Sequence, residues 1–288
     1  VNKFYIITNH QKDEELIMTK TIRDYLVSNG KGCIIQESNS EKVTGNYSFT
    51  NAELIPNDVE CIMVLGGDGT LIQAARDVAA KSIPLLGVNL GTLGYLTEIE
   101  KQNIFPALDK LMKDEYVIEK RLMLKGEFYK NKKAVLKNRA LNDIVISRDG
   151  HLRIIDFDIY VNNEYLVSYS ADGIIISTPT GSTGYNLSAG GPIVDPKADI
   201  LTLTPICSHT LNSKSIVLSA SDKVVVKIGE GRKTEYETAV ATFDGDTRIE
   251  MVTGDYIEIT KSTKRTQIIK LSKLSFLEAL RNKMRDCR

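Results

Sequence analysis

The sequence carries no surplus of basic charge: Lys plus Arg number 37, Asp plus Glu number 37, and the formal net charge at pH 7 is +0. A domain that works on nucleic acid normally shows such a surplus, so this class is disfavoured from the start. Cysteine is scarce and scattered. Cys33, Cys61, Cys207 and Cys287 form no C-x-x-C pair, and His10, His151 and His209 stand alone. Structural zinc needs clustered ligands, and this spacing speaks against it. Cys33 and Cys61 lie in short apolar runs, where a buried free thiol is commoner than a ligand. No stretch reaches the ~20 apolar residues that span a bilayer, and the N-terminus shows no basic, apolar, small-residue signal pattern. These absences predict a reduced, cytoplasmic setting with no membrane and no nucleic-acid partner. What is present, 42% hydrophobic and 26% charged residues over 288 positions, is the balance of a folded chain of one large domain or two ordinary ones.

The first part of the chain alternates strand-like and helix-like segments, the pattern of an α/β layer. Lys3–Thr8 reads as a strand. A helix comes next from about Asp13, with Met18, Ile22, Tyr25 and Leu26 on one face and Asn29-Gly30 as its stop. Cys33–Ile35 is a second apolar run, and Ser38–Asn57 is polar and irregular. Cys61–Leu65 is apolar throughout, as expected of a strand covered on both faces. Leu71, Ala74, Ala75, Val78 and Ala79 then repeat at helical spacing, and Thr70 with Gln73 predicts a capping box. Leu85–Val88 is the next strand, and Phe105, Leu108, Leu111 and Met112 predict another helix.

After about Arg121 short β-forming runs succeed one another: Met123–Tyr129, Ala140–Ser147, Ile154–Val161, Glu164–Ser170, Ile174–Ser177, Val224–Ile228, Ala239–Phe243 and Tyr256–Thr260. Asn162-Asn163 and Asp244-Gly245 have the composition of tight hairpin turns. Leu274, Phe276, Leu277 and Leu280 mark a last helix. The expected architecture is a Rossmann-like α/β domain over 1–120 and an all-β, sandwich-like domain over 121–270. A helix in 271–288 is expected to return to the first domain. There is no internal repeat and no low-complexity segment.

Two glycine-rich stretches carry the chemistry. Gly66-Gly67-Asp68-Gly69-Thr70 joins a buried strand to a helix N-terminus, where glycines let backbone N–H groups approach a phosphate and the helix dipole favours the anion. It is neither common phosphate fingerprint: a G-x-G-x-x-G read from Gly67 puts Ile72 where the last glycine belongs, and G-x-x-x-x-G-K-[ST] occurs nowhere. A carboxylate beside phosphate is repulsive unless it holds a metal ion or faces a hydroxyl whose proton it takes. The second role suits phosphoryl transfer. The plainer alternative is an Asx-type turn among flexible glycines. The other stretch, Thr178-Pro-Thr-Gly-Ser-Thr-Gly-Tyr185 and on to Pro192, offers hydroxyls, exposed amides and one aromatic face, a set suited to a ribose and planar rings. A ligand-free glycine- and serine-rich loop fits its composition equally well.

Leu65-Gly-Gly-Asp-Gly-Thr70 resembles the signature shared by NAD kinases, diacylglycerol and sphingosine kinases, and phosphofructokinases. The later motifs choose among them. Thr178–Pro192, with Ala140-Leu-Asn-Asp-Ile-Val-Ile-Ser-Arg148 and Ser170-Ala-Asp-Gly-Ile-Ile-Ile-Ser177, is similar to the NAD kinase family, in the same order and over about residues 60 to 260. The resemblance implies transfer of the terminal phosphoryl of ATP, bridged by Mg²⁺, to the 2′-hydroxyl of the adenosine ribose of NAD. It also implies a homodimer or homotetramer.

Residue by residue, it implies that Asp68 accepts the hydroxyl proton, with Gly69 beside it and Gly66, Gly67 and Thr70 holding phosphate. Asn142 and Asp143 would bind adenine and ribose groups, and Asp172 the nicotinamide side. Thr183, Gly184, Tyr185, Asn186 and Ser188 would line the dinucleotide, with Tyr185 stacking and Tyr95 as a further wall. Arg153 and Ser170 fall at positions of substrate contact. The chain departs from the family in three places: Asp143 stands for a usual Glu, Gly184 for a usual Ala, and Asp246 for a usual Gln. A lipid kinase would share the first loop without needing the second. A non-catalytic NAD(P) sensor would keep the pocket but have no use for Asp68.

Overall fold

The computed structural model describes residues 1–37, 50–91, 94–97, 99–150, 154–209, 214–230, 237–272 and 275–285. The chain forms two compact units, Val1–Lys120 with Lys264–Arg288, and Arg121–Thr263.

The first unit is built on β1 (Lys3–Thr8), β2 (Gly32–Ile35), β3 (Cys61–Gly66), β4 (Leu85–Asn89), the short β5 (Ile99–Glu100), β6 (Val117–Arg121) and β19 (Thr266–Lys270). The sheet order is β2-β1-β3-β4-β19-β6, with β5 beside β4. β1 pairs in parallel with both β2 and β3, and β3 in parallel with β4. β3 is buried along its whole length because both sheet faces are covered. On one face Phe4, Ile6, Met63, Leu65, Leu86 and Val88 meet Ile22 and Leu26 of α1 (Ile17–Ser28) and Ile104, Leu108 and Leu111 of α3 (Ile104–Met112). Toward the other lies α2 (Asp68–Asp77), whose Leu71 comes so close to Gly87 that a Cβ there would lie 3.2 Å from Leu71 Cδ2.

Local signals decide some helix ends and lose others to distant partners. The first helix runs regularly only from Ile17, but Asp13 still caps it: its carboxylate accepts from Met18 N and Thr19 N, each at 2.9 Å, across an intervening 3-10 turn. The capping box expected of Thr70 and Gln73 does not form. The helix begins three residues earlier than that box requires, with extended Gly67 as N-cap, and the Thr70 hydroxyl instead accepts from Asn9 Nδ2 at 3.3 Å. A capping box does open the last helix, α5 (Phe276–Arg285). There Ser275 N donates to Glu278 Oε2 at 2.9 Å, and Glu278 N donates to Ser275 Oγ at 3.2 Å. Cys61 is a buried free thiol, pushed up to about 12 by desolvation, whereas Cys207 is exposed. Of the polar segment Ser38–Asn57, positions 38–49 lie outside the described residues, as does Leu274.

The second unit is a sandwich of two six-stranded sheets. One contains β7 (Leu124–Lys130), β8 (Lys133–Ala140), β10 (Ile155–Val161), β11 (Glu164–Ala171), β15 (Val224–Ile228) and β18 (Tyr256–Lys261), in the order β11-β10-β15-β18-β7-β8. The other contains β9 (Asp143–Arg148), β12 (Gly173–Ser177), β13 (Ile200–Ile206), β14 (Ile216–Ser219), β16 (Thr238–Phe243) and β17 (Asp246–Val252), in the order β14-β13-β12-β9-β16-β17. Phe128, Phe157, Ile159, Val226 and Ile257 of the first interleave with Ile144, Ile146, Ile174, Ile176 and Phe243 of the second. The opposite parity of the same strands, Val145 and Ile175, packs with Ile206 and Ala189. β12 is therefore buried at every position, because the glycine-threonine stretch covers its outer face. Both expected hairpin turns carry two consecutive positive φ values, 52° and 71° at Asn162-Asn163 and 54° and 74° at Asp244-Gly245.

Gly126 marks a close approach in this core: a Cβ there would lie 2.6 Å from the Phe243 ring. Gly126→Ala should lower the unfolding free energy by about 1–3 kcal/mol through overpacking. Urea unfolding measures it, and an unchanged midpoint at unchanged slope would contradict this packing.

Candidate active site

The site residues fall into two groups, one on each unit. In the first unit β3 ends at Gly66 and the chain turns through Gly67 into α2, whose first residue is Asp68. A Cβ at Gly66 would sit 2.4 Å from Thr70 Oγ1, so the turn closes only around glycine. The Asp68 carboxylate takes four donors from the turn after β4. Tyr95 N reaches Oδ2 at 2.6 Å, while Leu96 N at 3.1 Å, Thr97 N at 3.0 Å and Thr97 Oγ1 at 3.0 Å reach Oδ1. Gly94 passes so close that a Cβ would fall 1.8 Å from Oδ1. A carboxylate offers about four lone-pair sites. Among the described residues Oδ1 takes three donors and Oδ2 one, which leaves Oδ2 with acceptor capacity to spare. Tyr95 is half-buried, and Lys283 of α5 places its ammonium 4.2 Å from the centre of the Tyr95 ring.

In the second unit the glycine-threonine stretch is tied to the start of β9. Thr178 N donates to Asn142 O at 2.8 Å, Thr178 Oγ1 to Leu141 O at 2.6 Å, and Gly181 N to Thr178 Oγ1 at 3.0 Å. A Cβ on Gly181 would lie 2.2 Å from Asn142 O, which fixes glycine there. At Gly184 a methyl would meet Gly181 O at 3.3 Å, Asn142 Nδ2 at 3.5 Å and Asp143 Oδ2 at 4.0 Å. The usual Ala would thus need only a small adjustment, and this turn places Gly184 beside Asn142 and Asp143. Asn142 Oδ1 and Thr180 Oγ1 are buried with no hydrogen-bond partner among the described residues. Buried polar atoms of that kind call for a partner.

The resemblance sets Asn186 against a ligand, but its side chain is fully buried and engaged within the unit. Nδ2 donates to Ser182 O at 3.2 Å and Pro192 O at 3.0 Å, and Oδ1 accepts from Thr204 Oγ1 at 2.8 Å. It brackets the loop from beneath. Tyr185, 47% exposed, and Ser188 project from the same short helix, with Thr183 half-buried just before it. Asp172 sits between β11 and β12 and pairs with Arg148 Nε at 2.9 Å. The Ser170 hydroxyl donates to the Asp156 carboxylate. Arg153 lies outside the described residues. Asp246 opens β17, and its Oδ1 accepts from Thr247 N at 2.8 Å.

Asp244 is the residue that sequence reasoning reads as a mere turn. From its left-handed backbone its carboxylate accepts from Leu141 N at 2.8 Å, Asn142 N at 2.7 Å and Asp143 N at 3.1 Å. Asp and Gly in a turn look the same whether or not the side chain reaches another strand, so no signal in the sequence marks this. One consequence is electrostatic. Asp143, only 5% exposed, is pushed up to about 7, first by desolvation and then by the Asp244 charge.

Since the unfolded chain returns Asp143 to the ordinary range of about 4, the native state holds its proton to higher pH. Stability therefore falls as pH rises from about 4 through about 7 and levels above. Asp143→Asn removes that loss. Its advantage in unfolding free energy should grow between pH 5 and pH 8, reaching a few kcal/mol in order of magnitude. Urea titrations at both pH values test this, and a difference independent of pH would exclude it.

The ATP-NAD kinase N-terminal domain model matches residues 4–116, and the ATP-NAD kinase C-terminal domain model matches residues 141–271. Among curated proteins, an NAD kinase of Lachnospira eligens is 48% identical over 290 residues, spanning 98% of this chain and 99% of its own. An NAD kinase of Agathobacter rectalis is 49% identical over 282 residues, spanning 98% of each. Among solved structures, an Archaeoglobus fulgidus NAD kinase in complex with ATP is similar at a TM-score of 0.77 and 25% identity, covering 98% of both chains. Yeast NADH kinase complexed with NADH shares the fold at a TM-score of 0.82 and 23% identity, covering 98% of this chain and 86% of its own.

Proposed function

The chain belongs to the NAD kinase family, and we propose that it moves the terminal phosphoryl group of ATP to the 2′-hydroxyl of the adenosine ribose of NAD, giving NADP. The observation that carries the mechanism is the Asp68 carboxylate on the first residue of α2, with Oδ2 holding a single backbone donor. That oxygen accepts the ribose proton as the new O–P bond forms and the bond from the γ-phosphorus to the departing ADP breaks, and the backbone at Gly66, Gly67 and Gly69 and the start of α2 face the phosphates. The donors from Tyr95 to Thr97 fix the carboxylate in place beforehand, which is the larger part of catalysis in phosphoryl transfer.

Asn142 and Asp143 serve the adenosine end. The orphaned Asn142 Oδ1 suits an amine or hydroxyl donor, and an Asp143 carboxyl near half-protonation at neutral pH can either donate to a ribose oxygen or accept from a hydroxyl. Tyr185 offers its exposed ring for stacking, with Thr183, Gly184 and Ser188 along the same edge, while Asp172 and Ser170 serve the nicotinamide side. Tyr95, Arg153 and Asp246 complete the proposed contacts. Mg²⁺ enters as part of the ATP substrate, screening its phosphates. No protein ligand is assigned to it. A cytoplasmic setting and a homodimer or homotetramer belong to the same reading. Among the described residues no helix is long and apolar enough to cross a membrane.

Asp68→Asn should lower NADP formation from NAD, ATP and Mg²⁺ by roughly 10²–10⁴, while calorimetry still detects NAD binding. Near-normal turnover would remove Asp68 from the role. Tyr185→Ala should raise the KM for NAD more than that for ATP. Equal shifts in the two constants would take the dinucleotide away from this loop.

A further inference from the structure

The crossover that leaves β1 runs outward to β2, whereas the one that leaves β3 runs the other way to β4, which makes the C-terminal ends of β1 and β3 a topological switch point. In open α/β sheets ligands bind in the crevice outside that point. The glycine loop leaves β3 there, and β1 runs on into Asn9-His-Gln-Lys12 beside it. Asn9 builds this turn: its Oδ1 accepts from Gln11 N at 3.0 Å, its N donates to Leu65 O at 2.8 Å, and its Nδ2 reaches Thr70 Oγ1 at 3.3 Å. The turn is thereby bolted to the glycine loop, and it delivers the exposed Lys12 side chain across it. Lys12 Nζ is the atom that a Cβ on Gly67 would meet, at 3.0 Å, and the one that a Cβ on Gly91 would meet, at 3.5 Å. The ammonium thus spans the turns after β3 and β4. The neighbouring acid, Asp13, is committed elsewhere, to Met18 N and Thr19.

A second, independent feature at the same edge lacks a partner. Asn89 ends β4 opposite Gly66 and is 2% exposed. Its Oδ1 accepts from Gly91 N at 2.8 Å, which holds the amide at the base of the turn that Lys12 touches, and its Nδ2 has no hydrogen-bond partner among the described residues. A buried N–H₂ without an acceptor is costly unless a ligand supplies one. An ammonium, an orphaned amide donor and the opening N–H groups of the ten-residue helix α2 all demand the same ligand, a compact polyanion.

We propose that Lys12, with Asn89 beneath it, is a phosphate-holding residue of the donor site and receives the polyphosphate of the nucleoside triphosphate. The assignment rests on the kinase reading and extends it to residues outside the glycine loop. Lys12 supplies a positive charge facing the donor that the glycines cannot, and it leaves NAD to other residues.

The test uses the full-length protein with tripolyphosphate as the probe, in calorimetry at low ionic strength, together with KM values for ATP and NAD. Lys12→Met keeps the aliphatic stem and, since the residue is exposed, the fold. It should weaken tripolyphosphate roughly tenfold and raise the KM for ATP by a similar factor, leaving that for NAD unchanged. Lys12→Arg should recover most of the loss. Asn89→Asp keeps the acceptor for Gly91 N but sets a carboxylate where the donor stood, and should weaken tripolyphosphate further. Wild-type affinity for tripolyphosphate in Lys12→Met, or equal rises in both KM values, would overturn the assignment. If Lys12→Met makes NADP with an unaltered KM for ATP, the kinase reading stands and this inference fails. If the wild-type protein binds tripolyphosphate through Lys12 yet forms no NADP, the inference stands and the kinase reading fails.

Discussion

Backbone N–H groups that run past the end of a strand must find acceptors, and in this chain aspartate carboxylates supply them at both glycine-rich regions. Asp68 gathers the N–H groups of Tyr95, Leu96 and Thr97. Asp244 gathers those of Leu141, Asn142 and Asp143. Each carboxylate fixes a turn that would otherwise be free to choose among conformations. Each also sets a negative charge beside the residues proposed to handle a substrate. The rest of the site geometry depends on these two anchors, because the turns they hold carry Tyr95 on one unit and Asn142 and Asp143 on the other.

The glycines are the steric counterpart of the same arrangement. Gly94 passes the Asp68 carboxylate, Gly181 passes the Asn142 carbonyl and Gly191 passes the Asn186 amide, all at distances where a methyl group would overlap. Their value here is close approach rather than unusual backbone angles, and none of these three has a positive φ. Polar groups brought this close are strongly coupled. Asp143 shows the effect: burial and the Asp244 charge act in the same direction, and its proton is held to about pH 7. The shorter Asp at this position leaves the carboxyl inside the protein, so its protonation and any contact with a ribose are linked.

Much is legible in the sequence where one local rule decides the outcome. Apolar runs mark β1 at its observed bounds and β3 and β4 to within a residue, and residue types mark both hairpin turns. The succession of short β-forming runs points to the sandwich. Strands β6, β8, β13, β14, β17 and β19 do not stand out in the same way. Val117–Arg121 and Lys133–Ala140 are half polar or more, and they pair because a neighbouring strand offers its edge rather than because of their own pattern. The capping box at Thr70 fails for a related reason: a partner distant in sequence, Asn9, claims the hydroxyl.

Sequence by itself determined the identities that chemistry needs, an aspartate among glycines at a helix start and a glycine-threonine stretch ending in Tyr185, because motif and spacing are local properties of the chain. Only the tertiary structure decided what each side chain does. It buried the Asn186 side chain against Ser182, Pro192 and Thr204, gave Asp244 three distant N–H groups, and left Asn89 Nδ2 without a partner among the described residues. The physical reason is that a polar group's role depends on which donors and acceptors surround it once water has been removed, and those neighbours come from strands far apart in the chain.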